Sequence, residues 1–364
     1  MNAEKTEIKK YDYIDALRGI AVLGTLFIHC SKYERGINNF GVNFKELALL
    51  GNSGVQLFFM MSAVTLFMSM NQKKKLEKNP NLNFFIRRFF RIAPLFYLSI
   101  IFCLSFNLEG YWWNEFSQLN PSYLILTTVT FTNGFNPYYI NSIVEGGWSI
   151  AIEMIFYAII PILFIFIKNI KVAFWSFLAS LLIASGLFIF NQKNILIESV
   201  DLWRAFTYFN FIAQLPVFLL GILLFYVIKN KEDGKLVVTE IKYPLVIFAL
   251  ILLFNVTFNY IQNHILISFS FFLVAFSLSQ AKNILVNKLT CFLGKISYSM
   301  YLTHFPVLFL MWKLNLLDII NKQILNFGLR YFILIAITAG ISYLTYKFIE
   351  LPGITLGKKV IAFF

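Results

Sequence analysis

The sequence predicts an all-α, polytopic membrane protein of about ten transmembrane helices with both termini in the cytoplasm. Three observations carry that expectation. Of 364 residues, 59% are hydrophobic and only 13% charged, where a soluble domain carries roughly a quarter charged residues. Apolar runs of about 20 residues, the length a helix needs to cross hydrocarbon, recur along the whole chain. The basic residues fall mainly between alternate runs, whereas the stretch from Glu109 to Gly147 has no Lys or Arg. That asymmetry orients the chain by the positive-inside rule.

The ten runs are approximately 14–31, 52–70, 93–108, 147–167, 172–190, 207–228, 243–260, 265–281, 296–312 and 329–348. Lys5, Lys9 and Lys10 precede the first and place the N-terminus inside. Arg18 interrupts that run and no small-residue cleavage site follows it, so it reads as a retained span rather than a signal peptide. Lys73, Lys74, Lys75, Lys78, Arg87, Arg88 and Arg91 then mark the second cytoplasmic connection. The segment 109–146 is an aromatic, turn-rich outer loop containing Tyr111, Trp112, Trp113, Tyr138 and Tyr139; it reads as an interfacial belt or a sugar-stacking surface. Residues 1–364 form one membrane domain, and no appended soluble domain is expected because the chain ends soon after the last run.

The formal net charge of +13 is explained by this topology without invoking nucleic acid. Cys30, Cys103 and Cys291 are far apart in apolar surroundings and read as inert buried thiols. Metal-ligand spacings, Walker and GxGxxG loops and a GxSxG elbow are absent from the sequence, so neither a metal nor a permanently bound cofactor is expected.

Ionisable groups inside spans are costly and are functional candidates by default. Asp15, Arg18 and His29 lie in the first run. Eleven residues at 100° put Arg18 and His29 about 20° apart around the helix axis and about 16 Å apart along it. The pair suits a reaction that crosses the bilayer; alternatively Arg18 snorkels to headgroups and His29 caps the outer end. Asp15 and Arg18, at i and i+3, are spaced to pair. Arg87, Arg88 and Arg91 cluster before the third run, suited to a phosphorylated ligand or to anionic lipid. Trp148, Ser149 and Glu153 open the fourth run, where Glu153 is a carboxylate among isoleucines and suits proton transfer or a bond to a neighbouring helix. Ser297, Tyr301 and His304, at i, i+4 and i+7, form a polar stripe that either glues helices or lines a site. His264 reads as incidental.

In this order the motifs resemble the acyltransferase-3 family of bacterial membrane acyltransferases over most of the chain. The resemblance rests on Asp15-x-x-Arg18-Gly19 with His29, Gly54 to Ser62, Arg88-x-x-Arg91-Ile92-x-Pro94, Trp148-Ser149-x-x-x-Glu153-x-x-Phe156-Tyr157, Ser297-Tyr298-x-x-Tyr301-Leu302-x-His304-x-Pro306, and Glu350-x-Pro352. Gln56 and Ala63 depart from it, standing where an acidic residue and a glycine are common.

The resemblance implies a multi-pass protein of the bacterial cytoplasmic membrane. Its implied reaction moves an acyl group, usually acetyl, from acetyl-CoA to a hydroxyl of an extracytoplasmic glycan such as O-antigen, capsule or exopolysaccharide. His29 is the implied base or acyl relay, and Glu153 would orient either His29 or the acceptor. Arg18, Arg87, Arg88 and Arg91 would hold acyl-CoA, and Asp15, Trp148, Ser149, Ser297, Tyr301 and His304 would support the acceptor site. The implied partners are acyl-CoA, the glycan and membrane lipid. The competing class is a transporter or flippase for an acyl group or lipid-linked sugar, which broken helices and inverted repeats would favour.

Overall fold

The computed structural model describes residues 11–31, 50–74, 76–106, 120–141, 143–236, 263–280, 284–320 and 323–363. Among these residues every regular element is helical. In chain order they are α1 (Asp12–Ser31), α2 (Gly54–Lys73), α3 (Pro80–Phe106), α4 (Pro121–Val129), α5 (Gly147–Phe166), α6 (Ile170–Lys193) and α7 (Val200–Phe209). They continue with α8 (Phe211–Glu232), α9 (Asn263–Leu278), α10 (Lys288–Lys295), α11 (Ser297–Lys313), α12 (Gln323–Thr345) and α13 (Leu351–Ala362). Helix is the expected outcome, because in hydrocarbon every backbone N–H and C=O must be satisfied within the chain.

Seven helical stretches among the described residues are long and apolar enough to span a membrane: Asp12–Ser31, Gly51–Lys73, Pro80–Phe106, Gly147–Phe166, Ile170–Lys193, Val200–Glu232 and Ile324–Ala362. The expected spans at 265–281 and 296–312 appear as the shorter helices α9 and α11, of 16 and 17 residues. The expected span at 243–260 lies outside the described residues, as do Trp112 and Trp113. The third helix begins at Pro80 rather than near residue 93, so the Arg87 to Arg91 cluster is part of the helix and not a connection before it.

α2 is the axis of the bundle. In its apolar window 78% of residues are buried inside the protein, against 22% for α6, which belongs to the lipid-facing rim. α2 contacts α1 on one side and α8 on the other. The α2–α8 contact is close at Gly221, where an added Cβ would lie 2.5 Å from the Met60 carbonyl. Phe59, Phe218 and Phe156 stack at this junction, with ring centroids 4.6 and 4.0 Å apart.

α1 packs most extensively on the short helix α10. Gly19 and Gly294 make that crossing: a methyl group at either would overlap the facing backbone carbonyl, of Thr290 or of Asp15 respectively. Such small-residue crossings are the usual way helices associate where lipid removes the hydrophobic driving force. At the other end of α1, Arg330 of α12 is fully buried; its Nε points to Cys30 Sγ at 3.4 Å and its Nη1 donates to the Leu317 carbonyl at 3.1 Å.

Residues 130–141 and 143–146 fold over the bundle end that carries His29. Tyr139, Ile140, Ile143 and Val144 are buried there, and Asn133 donates to the Ile140 carbonyl at 3.3 Å. Tyr139 is therefore a packing residue, not an open stacking platform.

Candidate active site

Two cavities lie along α1. The first, about 80 Å³, is lined on its polar side by Arg18, Ser62, Arg88, Arg91, Glu153, Tyr157, Ser297 and Tyr298. The second, about 310 Å³, is lined by His29, Asn52, Asn141, Glu145, Trp148, Tyr208, Phe209 and Phe305. Val55 and Tyr301 line both and so form the wall between them. In that wall the Ser149 hydroxyl donates to the Tyr301 oxygen at 2.9 Å, and the Tyr301 hydroxyl donates to the Gly146 carbonyl at 3.0 Å. Gly146 has φ of +80°, and a side chain there would also press on the Tyr301 hydroxyl, so the turn into α5 requires glycine.

The arginine cavity is strongly electropositive. Arg18 reaches across to α2 and donates to Thr65 Oγ1 at 3.0 Å; it does not form the expected ion pair with Asp15, whose carbonyl instead packs on Gly294. Arg88 lies against the rings of Phe84 and Tyr157, 5.7 and 5.9 Å from their centroids. Its buried Nε has no hydrogen-bond partner among the described residues. Arg91 pairs with Glu350 at 3.6 Å. Arg87 is different: it donates to both carboxylate oxygens of Glu77, at 2.8 and 3.0 Å, and does not line the cavity. Of the expected cluster of Arg87, Arg88 and Arg91, the cavity takes Arg88 and Arg91, three apart on α3, together with Arg18 from α1.

Glu153 sits with the arginines, not with His29. Its Oε1 accepts from Ser62 Oγ at 2.5 Å and from the Tyr157 hydroxyl at 2.6 Å. It is absent from the lining of the second cavity, so the expectation that Glu153 orients His29 finds no geometric counterpart.

The imidazole of His29 instead faces α11. Its ring centroid is 4.4 Å from that of Phe305 and 5.2 Å from that of His304. His304 is fully buried, and its Nδ1 donates to the Tyr301 carbonyl at 2.7 Å, which fixes the tautomer with the proton on Nδ1. Of the Ser297, Tyr301 and His304 stripe, Ser297 lines the first cavity and Tyr301 the wall, while His304 lies outside the lining of the second cavity and packs against His29 with its ring tilted at 42°. Trp148 stacks on Phe209 at 4.3 Å on the opposite side of that cavity.

Several neighbours were not singled out by sequence. Glu145 and Asn141 bring polar groups to the His29 cavity from the turn before α5, and Asn52 from the short 3-10 helix before α2. Tyr208 lines it too and is held by the amide of Gln56 at 3.0 Å. His264, expected to be incidental, is buried against Tyr208 with its Nε2 3.1 Å from the Ala213 carbonyl. Among the described residues no group of three or more His, Cys, Asp or Glu side chains is arranged to hold a metal ion.

A sequence profile described as an acyltransferase domain, acyltransferase-3, matches residues 11–347. The chain belongs to the acyltransferase-3 family. Its relatives in Staphylococcus aureus include proteins named "Putative O-acetyltransferase" in strain COL, 28% identical, and in strains MSSA476 and MRSA252, each 27% identical. The alignments cover 99% of this chain and 61% of each relative, so the chain spans about three fifths of their length. No solved structure matches it. All six motifs quoted above contribute residues to the two cavities, to the wall between them or to the helices packed against them.

Proposed function

We propose that this acyltransferase-3 protein is an O-acyltransferase of the bacterial cytoplasmic membrane that moves acetyl from cytoplasmic acetyl-CoA to a hydroxyl of an extracytoplasmic glycan. The observation that carries the reading is the pair of adjoining cavities, arginine-lined and histidine-lined, to which one helix contributes Arg18 and His29, about 16 Å apart along its axis. Acyl-CoA has that shape: an anionic nucleotide at one end, a long uncharged arm, and the reacting thioester at the other. The arginine cavity is too small for a nucleotide and fits a phosphate group or the arm. Lys73 and Arg87 meet on Glu77, beside Arg88 in the chain, with Lys74 and Lys78 adjacent in sequence, which supports a cytoplasmic placement.

In this reading Arg18, Arg88 and Arg91 hold the donor, and among the described residues only Arg91 of the three has a carboxylate to leave. Displacement of the Tyr301–Ser149 wall lets the thioester approach His29. The acceptor hydroxyl attacks the thioester carbonyl, His29 takes its proton as general base, and the carbon–sulfur bond breaks to release CoA thiolate. The aromatic and amide lining from Trp148, Tyr208, Asn52 and Asn141 suits a sugar ring with its hydroxyls. Glu153, fixed by Ser62 and Tyr157, balances charge among the arginines.

The test is label transfer by the purified chain from [acetyl-14C]CoA to glycan extracted from the source cells. Label in the glycan, lost on His29→Ala, supports the proposal. Transfer that survives His29→Ala removes the assigned base.

A further inference from the structure

Glu350 takes part in none of these steps, yet it is the only fully buried carboxylate among the described residues. Its Oε2 accepts from Ser299 Oγ at 3.1 Å. Its Oε1 is buried without a hydrogen bond and faces Arg91 Nη2 at 3.6 Å. A desolvated carboxylate ordinarily takes several hydrogen bonds, so this ion pair is poorly consolidated on the side that faces the arginine. Arg91 is 36% exposed toward the cavity while Glu350 is wholly enclosed.

The backbone holds the acid in place. α12 widens into a five-residue π-helical stretch, Tyr346–Glu350, before α13, and π interruptions of this kind concentrate at functional sites. Gly353 and Gly357 then let α13 lie directly on Phe90 and Pro94 of α3, the helix that carries Arg91. The carboxylate is thus enclosed, and the arginine is the exposed member of the pair.

We propose that Glu350 is a built-in counter-anion that occupies Arg91 while the arginine cavity is empty and competes with the donor's anionic group for it. This rests on the reading of that cavity as a donor site. Three guanidinium groups in one enclosed space repel each other, and Glu350 offsets that repulsion in the empty protein. An incoming phosphate offers Arg91 the hydrogen-bonded, bidentate geometry that Glu350 does not. Whatever Arg91 loses on leaving Glu350 is subtracted from donor affinity, which keeps CoA releasable after transfer. Glu350 is a positioning residue, and its competition has a sign that a purely structural residue lacks.

The experiment is equilibrium binding of CoA and of inorganic pyrophosphate to the detergent-purified full chain, comparing wild type, Glu350→Gln, Arg91→Gln and the double variant. Glutamine keeps an oxygen for Ser299. Glu350→Gln is expected to bind both probes roughly tenfold tighter, the effect of about 1.4 kcal/mol of relieved competition, and the gain should vanish in the Arg91→Gln background. Equal or weaker binding by Glu350→Gln, or the same gain without Arg91, overturns the proposal. Should Glu350→Gln fail to fold, Glu350→Asp decides: its shorter carboxylate should tighten binding by about two- to threefold, and unchanged or weaker binding overturns the idea. Wild type that binds pyrophosphate but not CoA sinks the donor assignment and leaves the counter-anion to be judged on the pyrophosphate series; binding of neither overturns both.

Discussion

At the scale of single residues, the four arginines separate into two kinds. Arg87 spends its guanidinium on Glu77, whereas Arg88 is buried against aromatic rings with no carboxylate partner among the described residues. Arg88→Ala is therefore expected to raise the KM for acetyl-CoA by at least about tenfold, the loss of one charge-assisted contact of about 1.5–3 kcal/mol. Arg87→Ala should leave KM within about twofold and lower stability by no more than about 1 kcal/mol. Steady-state kinetics and thermal unfolding of the two variants check this, and equal KM shifts would return both arginines to one role. For His29→Ala the expected loss is about 10²- to 10⁴-fold in transfer, with the protein still eluting as a folded, monodisperse species in detergent.

At the scale of elements, close helix crossings set where those residues meet. α10 touches α1 through Gly294, over the Asp15 carbonyl and one turn from Arg18. Gly294→Ala is expected to cost about 1–3 kcal/mol, the usual penalty for overpacking, while Gly340→Ala in α12, which has open space at the Cβ position, should be neutral or slightly stabilising. Unfolding temperatures of the two alanine variants decide; a Gly294→Ala protein as stable as wild type would mean that the crossing is looser than described. Much at this scale was legible in sequence. The apolar runs at 14–31 and 147–167 correspond closely to α1 and α5, because their boundaries are marked by polar residues and glycine. α3 starts well before its apolar run, because Arg87, Arg88 and Arg91, which lower the local hydropathy, are offset inside the bundle by aromatic faces and carboxylates. Helical period alone put Arg18 and His29 on one face. It says nothing of partners from distant segments, and so Thr65 for Arg18, Glu350 for Arg91, and Glu145 beside His29 had no sequence signal. Glu153 was tied to His29 because both looked like chemistry; the structure shows that hydroxyls of Ser62 and Tyr157 claim it first.

At the scale of the whole molecule, the membrane protein is organised as two polar chambers inside an apolar bundle, with a hydrogen-bonded wall between them. Tyr301→Phe removes the hydroxyl that ties α11 to the Gly146 turn while keeping the ring. If the wall holds the chambers apart, this variant should hydrolyse acetyl-CoA faster in the absence of acceptor, because water in the histidine chamber gains access to the thioester; release of free CoA measures it, and an unchanged rate would assign the wall a packing role only. Two chambers on one helix imply passage of an acyl group from one side of the bilayer to the other. The direct measurement uses proteoliposomes with [acetyl-14C]CoA supplied only at the arginine end of the protein and glycan only at the histidine end, orientation being fixed beforehand by protease protection of a terminal tag. Label should appear in the glycan across an intact bilayer, and should not appear with His29→Ala. Transfer that occurs only when donor and glycan share one side would contradict it.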